Sequence, residues 1–261
     1  MNKEKHTKRN LKLTVAYDGS GYHGFQRQLN SLTVQQVLEE KLSSLMGEPV
    51  TVAGAARTDA GVHAYGQVIT IRTNGAIPTD RIPAAARGLL PKDIAVLDAT
   101  EMPAEFHARF SACGKMYIYR ILNSTSPDPI LRNYVWQFDR PLDVEAMNQA
   151  LGLLVGEHNF GAFQSAGSSA KNPVRTLYSA TCIRQKDRLE FQVHGNGFLY
   201  HMVRNIVGTV VNVGAGKKSL EDFLEIFSSC DRKLAGATAP ATGLYLKEVF
   251  YKSLDNPWNF K

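Results

Sequence analysis

The sequence predicts an α+β fold built from two similar lobes, and three observations carry that prediction. Strand-like stretches, with hydrophobic side chains at every second position, and helix-like stretches, with hydrophobic side chains at 3.6-residue spacing, are intermixed along the chain. They do not alternate strictly, as a doubly wound parallel sheet requires. The second half then reuses the strand and helix vocabulary of the first. With 261 residues, the chain can form one large core or two smaller ones. The expected lobes have largely antiparallel sheets, with helices packed on one side. A cleft between two such lobes is the natural place for a ligand. The change of unit is expected within 105–112, which gives residues 1–108 and residues 109–261.

The opening decapeptide MNKEKHTKRN is charged, lacks an apolar segment and reads as a disordered basic arm. In LKLTVAYDG, residues Leu11, Leu13, Val15 and Tyr17 alternate with more polar neighbours, so the stretch is a half-buried strand. The glycine-rich segment GSGYHGFQRQ is a loop. A helix follows at TVQQVLEEKLSSLMG, with Thr33 and Gln36 as a capping box. Its stripe is Val34, Val37, Leu38, Leu42 and Leu45, and Gly47 stops it. The loop AGAARTDAGVHAYG leads into the strand QVITIRT. A helix in the eighties and strands near IAVLDAT and KMYIYRIL follow.

In the second half, Asp143 caps a helix with Val144, Met147, Leu151 and Leu154 on one face. RTLYSATCIR and RLEFQVHG are strands, and a helix is expected to begin near Phe198. Another opens at Ser219, with Asp222 three residues on and Leu220, Phe223, Leu224 and Phe227 buried. LYLKEVFY is the last strand. HGFQ at 23–26 and GAFQ at 161–164 hint at an internal duplication.

Composition narrows the function classes. Hydrophobic residues make up 44% of the chain and charged residues 21%, the balance of a soluble globular protein. No apolar stretch reaches the roughly 18 residues that span a membrane. Lys and Arg outnumber Asp and Glu by 30 to 24, a net charge of +6 that suits a polyanionic partner. Cys113, Cys182 and Cys230 are widely separated and odd in number, which fits structural thiols in a reducing, cytoplasmic setting. Neither a metal-ligand spacing nor HExxH is present among the histidines. Walker loop, dinucleotide fingerprint, GxSxG and catalytic-cysteine patterns are also missing, so neither a metal nor a cofactor is expected.

Three stretches could carry chemistry. Arg57, Thr58, Asp59 and His63 form a dense polar cluster in a loop of small residues, where Asp59 is accessible. Taken alone, Asp59 reads either as a turn former or as a reactive carboxylate. Arg204 lies in the largely apolar GNGFLYHMVRNIVG, where burial would demand an anion, from a carboxylate or a phosphate. Tyr117 and Tyr119 share one face of a strand, for core packing or for stacking on a base.

Together these stretches resemble the tRNA pseudouridine synthase A family over residues 11–251. The most specific piece is RTDAGVHA at 57–64. YHGFQRQ (22–28), HARFSA (107–112), GEHNFGAF (156–163), FLYHMVRNIVG (198–208) and APATGLYL (239–246) add to it in order. The resemblance implies that Asp59 is the catalytic aspartate and that Arg204 pairs with it. It implies that Arg57 helps flip the target nucleotide, that Tyr117 stacks on the substrate and that Leu244 lines the uracil pocket. It further implies a homodimer acting on tRNA, with uridines 38, 39 and 40 of the anticodon stem-loop as targets. Asn159, Gly161 and Gln164 stand where the family more often has Asp, Ser and Arg. Two other readings share some features. A non-catalytic RNA-binding protein explains the charge and aromatics but not Asp59 and Arg204 in their motifs. A glycoside or nucleoside hydrolase usually needs two carboxylates, and the motifs supply one.

Overall fold

The computed structural model describes residues 8–167 and 170–252, which form two compact units. The first ends at Cys113 and takes in the residues from Leu246 onward; the second is Gly114–Tyr245. The final strand therefore begins in one unit and ends in the other.

The first unit contains β1 (Arg9–Tyr17), α1 (Val34–Met46), β2 (Ala53–Gly54), β3 (His63–Thr73), α2 (Ile82–Arg87) and β4 (Ile94–Met102). Its strands run β4-β1-β3, with β2 on the outer side of β3, all antiparallel. Leu11, Leu13 and Val15 are fully buried along with Ile69 and Ile71, so alternation along β1 and β3 supplies one core face. Thr33 caps α1 by accepting the Gln36 N–H, but the Gln36 side chain turns to Glu40 (3.0 Å) and the expected capping box is only half made. Gly47 ends α1 in the left-handed region, as expected.

Residues 1–7 of the expected arm lie outside the described residues. Its end is not an arm: Arg9 and Asn10 open β1. Arg9 meets Glu101 at 3.1 Å and donates to the Gly75 and Ile77 carbonyls and to Thr79. The partners that hold it are 66 to 92 residues away in sequence, beyond the reach of a local pattern.

The second unit holds most of β5 (Ala112–Asn123), β6 (Trp136–Phe138), α3 (Val144–Gly152), β7 (Gly156–Asn159), β8 (Val174–Gln185), β9 (Arg188–Gly195), α4 (Met202–Gly214) and α5 (Leu220–Ser229), and the start of β10 (Leu244–Tyr251). Its strands run β5-β9-β8-β7, antiparallel, and β6 adds to β5 in parallel. The α5 capping box is complete between Ser219 and Asp222. Leu224, expected in the core, is 47% exposed, and Ile226 takes the buried position beside Phe223 and Phe227. Helix α4 starts at Met202 rather than near Phe198, because His201 at its N-terminus has φ 59°, a conformation that cannot continue a helix.

The likeness of the units lies in their topology. Disregarding β6, β7 and α5, the succession β5-α3-β8-β9-α4-β10 repeats β1-α1-β2-β3-α2-β4. In both units the first strand pairs with the third and the third with the second. HGFQ and GAFQ are not equivalent points in this repeat. The first precedes the first helix of its unit, whereas the second follows the first helix. Among the described residues no helix is long and apolar enough to cross a membrane.

Candidate active site

In the first unit, Asp59 sits in the loop between β2 and β3, and the segment that follows β1 braces that loop. Phe25 N–H donates to the Thr58 carbonyl (3.0 Å) and Gly61 N–H to the Tyr22 carbonyl (3.3 Å). A turn closes through Val62 N–H on the Asp59 carbonyl (3.1 Å), with Gly61 at φ 78°. Gly19 must be glycine, since a Cβ there would lie 2.0 Å from the Val62 carbonyl oxygen. Below the loop, the Tyr17 hydroxyl meets the Thr58 hydroxyl at 2.7 Å. Gln67 bridges both backbone groups of Ala56, at 3.1 and 2.8 Å. Burial pushes the Tyr17 phenol up to about 12, outweighing the lowering effect of its bonds to Thr58 and Gln67. The loop thus anchors the buried Thr58 inward and leaves Asp59 half-buried and Arg57 exposed.

His63, from the same cluster, is buried and holds the turn after β1. Its Nδ1 lies 3.1 Å from both the Gly19 nitrogen and the Asp18 carboxylate. One nitrogen cannot accept from Gly19 and donate to Asp18 together. Accepting from Gly19 requires an unprotonated Nδ1 and donating to Asp18 a protonated one, so the protonation of the ring selects between the two contacts.

In the second unit, β5 carries Tyr117, which is buried with its ring edge-on to Phe198 at 5.1 Å. Tyr119, on the same face, is wholly buried and donates to the Pro240 carbonyl (2.8 Å), a packing role. Burial raises its phenol; the nearby Arg204 charge acts in the opposite direction. Arg204 is half-buried rather than enclosed, so the expected burial does not hold. It clamps Ala239 from two sides: Nε donates to the Ala239 carbonyl (2.7 Å), and its own carbonyl accepts the Ala239 N–H (3.2 Å). Leu244 is buried at the end of the same 236–244 segment.

The sequence reading missed what holds that segment. Asn205 is fully buried; its amide donates to the Phe163 carbonyl (2.8 Å) and to Ser165 (3.1 Å). Its oxygen accepts from Arg232 (3.0 Å) and Thr238 (2.7 Å). Arg232 also reaches the Gly236 carbonyl and Thr238, both at 3.0 Å, and Thr209 accepts the Gly236 N–H (2.9 Å). Asn205 and Thr209 stand four apart on α4, a spacing that places them on one helix face, and the polar pair in an apolar run was the available signal. The departures Asn159 and Gly161 form a local turn through Gly161 N–H on Asn159 Oδ1 (2.9 Å), and Gln164 donates to the Ala170 carbonyl (3.1 Å).

Comparison with known proteins identifies the family. The family described as tRNA pseudouridine synthase matches residues 13–111 and 150–252. The chain belongs to that family. Relatives called tRNA pseudouridine synthase A include one from Acetivibrio thermocellus, 47% identical over 243 residues, covering 93% of this chain and 100% of the relative. One from Ruminiclostridium cellulolyticum is 46% identical over 244 residues, with the same two coverages. Among solved structures, a chain of the Cbf5-Nop10-Gar1 complex is a distant likeness, 12% identical with a TM-score of 0.38, covering 92% of this chain and 50% of that one. The family's members are RNA uridine isomerases, so the chain is read as an enzyme.

Proposed function

We propose that this chain converts uridine to pseudouridine at positions 38, 39 and 40 of the tRNA anticodon stem-loop, with Asp59 as the essential carboxylate and without a cofactor. The carrying observation is that a member of this family presents Asp59 half-exposed on a loop braced from below. The reaction breaks the C1′–N1 bond of one nucleotide and joins C1′ to C5 of the same base. The C5 proton is given up and N1 ends protonated, so mass and oxidation state are unchanged and the balance calls for no redox partner. A carboxylate beside the ribose and uracil can serve this exchange as nucleophile or as base.

The other groups carry supporting roles in this reading. Arg57 is exposed and suits displacement of the nucleotide, Tyr117 suits stacking on it, Leu244 suits the uracil edge, and Arg204 supplies positive charge for the carboxylate. The protein acts in the cytoplasm as a homodimer on tRNA, a reading that the family resemblance supports.

The test is to react purified protein with unmodified tRNA and map the product. Pseudouridine should form at 38–40 with no free uracil released. Asp59→Asn should give none while tRNA affinity stays within about threefold. Release of uracil, or turnover by Asp59→Asn, overturns the reading.

A further inference from the structure

The first unit has a face that the chemistry above does not use. Directly opposed residues in antiparallel strands share a face, so Lys12 stands in a row with Thr70 and Thr100, and Asn10 in the next row with Arg72 and Met102. This is the face opposite Leu11, Leu13 and Ile71. At one end it deepens into a cavity of about 340 Å³ lined by Lys8, Asn10, Thr70, Arg72, Phe106 and His107, among others, with no carboxylate in the lining.

The segment between β4 and β5 packs over the rim of this cavity. Asn10 donates to the Pro103 and Phe106 carbonyls (2.7 and 2.9 Å), Arg72 to the Ala104 carbonyl (2.8 Å) and the Tyr251 hydroxyl to the Ala108 carbonyl (2.7 Å). Ser111 and His107 close it on itself. A segment held at this many points is not a loose tip, yet it turns Phe110 outward, 76% exposed. The His107 ring lies 4.5 Å from that of Phe110, and the Arg109 guanidinium stands 5.6 Å from its centroid. An ordered aromatic ring with a guanidinium neighbour beside a basic cavity is the pairing that single-stranded nucleic acid uses: bases stack on the ring while phosphates follow the charges. Pre-ordering lowers the entropy lost on binding.

We propose that this face is a second RNA-contact surface, on which an unpaired base of the substrate tRNA stacks on Phe110 while the flanking phosphates run along Lys8, Arg72 and Arg109. The proposal rests on tRNA being the substrate and adds where else on the chain it is held. The absence of a carboxylate from the cavity lining, beside Lys8 and Arg72, favours a polyanionic occupant.

The test compares wild-type protein with Phe110→Ala and Phe110→Trp, using unmodified tRNA. Phe110→Ala should weaken the Kd by about 5- to 150-fold, the range for losing one stacked base. Its pseudouridine rate at saturating tRNA should stay within about twofold, and its sedimentation should match wild type. Phe110→Trp should keep its affinity, and the introduced indole should be quenched by tRNA but not by a blunt RNA duplex. Unchanged tRNA affinity in Phe110→Ala, or equal quenching by both RNAs, overturns the proposal. Altered sedimentation in Phe110→Ala would instead assign the ring to contact with a second copy. If wild-type protein binds tRNA but forms no pseudouridine, the proposed function fails while the Phe110 result still stands.

Discussion

The loop that carries Asp59 and the segment that runs from Gly236 to Leu244 present candidate site residues by opposite means. The first is held mainly through backbone groups: Thr58 and Asp59 carbonyls accept amides, and residues without bulky side chains let two chain segments touch. The second is held mainly through side chains, with Asn205, Thr209 and Arg232 each binding more than one partner around it. A backbone-held loop fails when volume is added, whereas a side-chain-held segment fails when a donor or acceptor is removed. Loss of a side-chain donor or acceptor should therefore damage the second segment more than the first.

The largest effect is expected where the two designs coincide, at glycines pressed against carbonyl oxygens. In Gly19→Ala the new Cβ would lie 2.0 Å from the Val62 oxygen, and in Gly208→Ala 1.9 Å from the Ala237 oxygen. Backbone must move in both, so each should lose about 3 kcal/mol in denaturant unfolding. A loss under about 0.5 kcal/mol would show that these contacts relax freely.

A smaller effect distinguishes the second segment. Arg232→Met removes the donor to Asn205, Thr238 and the Gly236 carbonyl. Burial already lowers the pKa of this guanidinium, so the site does not favour charge for its own sake. The loss of its bonds should cost about 1–3 kcal/mol. Because the segment also carries Ala239, the Arg204 clamp should loosen and catalysis slow more than tRNA affinity falls. Equal losses in both would remove the positioning role.

The mildest break is Tyr17→Phe, which keeps the ring and removes the hydroxyl beneath Thr58. It should cost about 1 kcal/mol near neutral pH. The phenol is raised from its ordinary 10.0 to about 12, which fixes the direction of its pH dependence. Its contribution is complete below the unfolded value, near 10, and fades as the pH climbs from there through about 12. Wild-type stability should therefore fall in that window, and Tyr17→Phe should fall less steeply. Parallel alkaline curves in equilibrium unfolding would exclude the phenol as the cause.

Much of this was legible in the sequence, because strands, helices and motifs are local patterns. Period-two runs located β1, β3, β8 and β9, caps located the starts of α1, α3 and α5, and RTDAGVH marked the loop where Asp59 stands half-exposed. The roles of Asp59, Arg57, Tyr117, Arg204 and Leu244 came from family resemblance and stand as proposals. Only the tertiary structure decided that Arg9 is strand, that Leu224 faces water, that Arg204 is half-buried and that Phe110 is exposed on an ordered segment. The reason is physical. Burial and hydrogen-bond partnership depend on groups far away in the chain, such as Glu101 for Arg9, Thr238 for Asn205 and Tyr251 for Ala108, and no local periodicity records a partner that distance brings into reach.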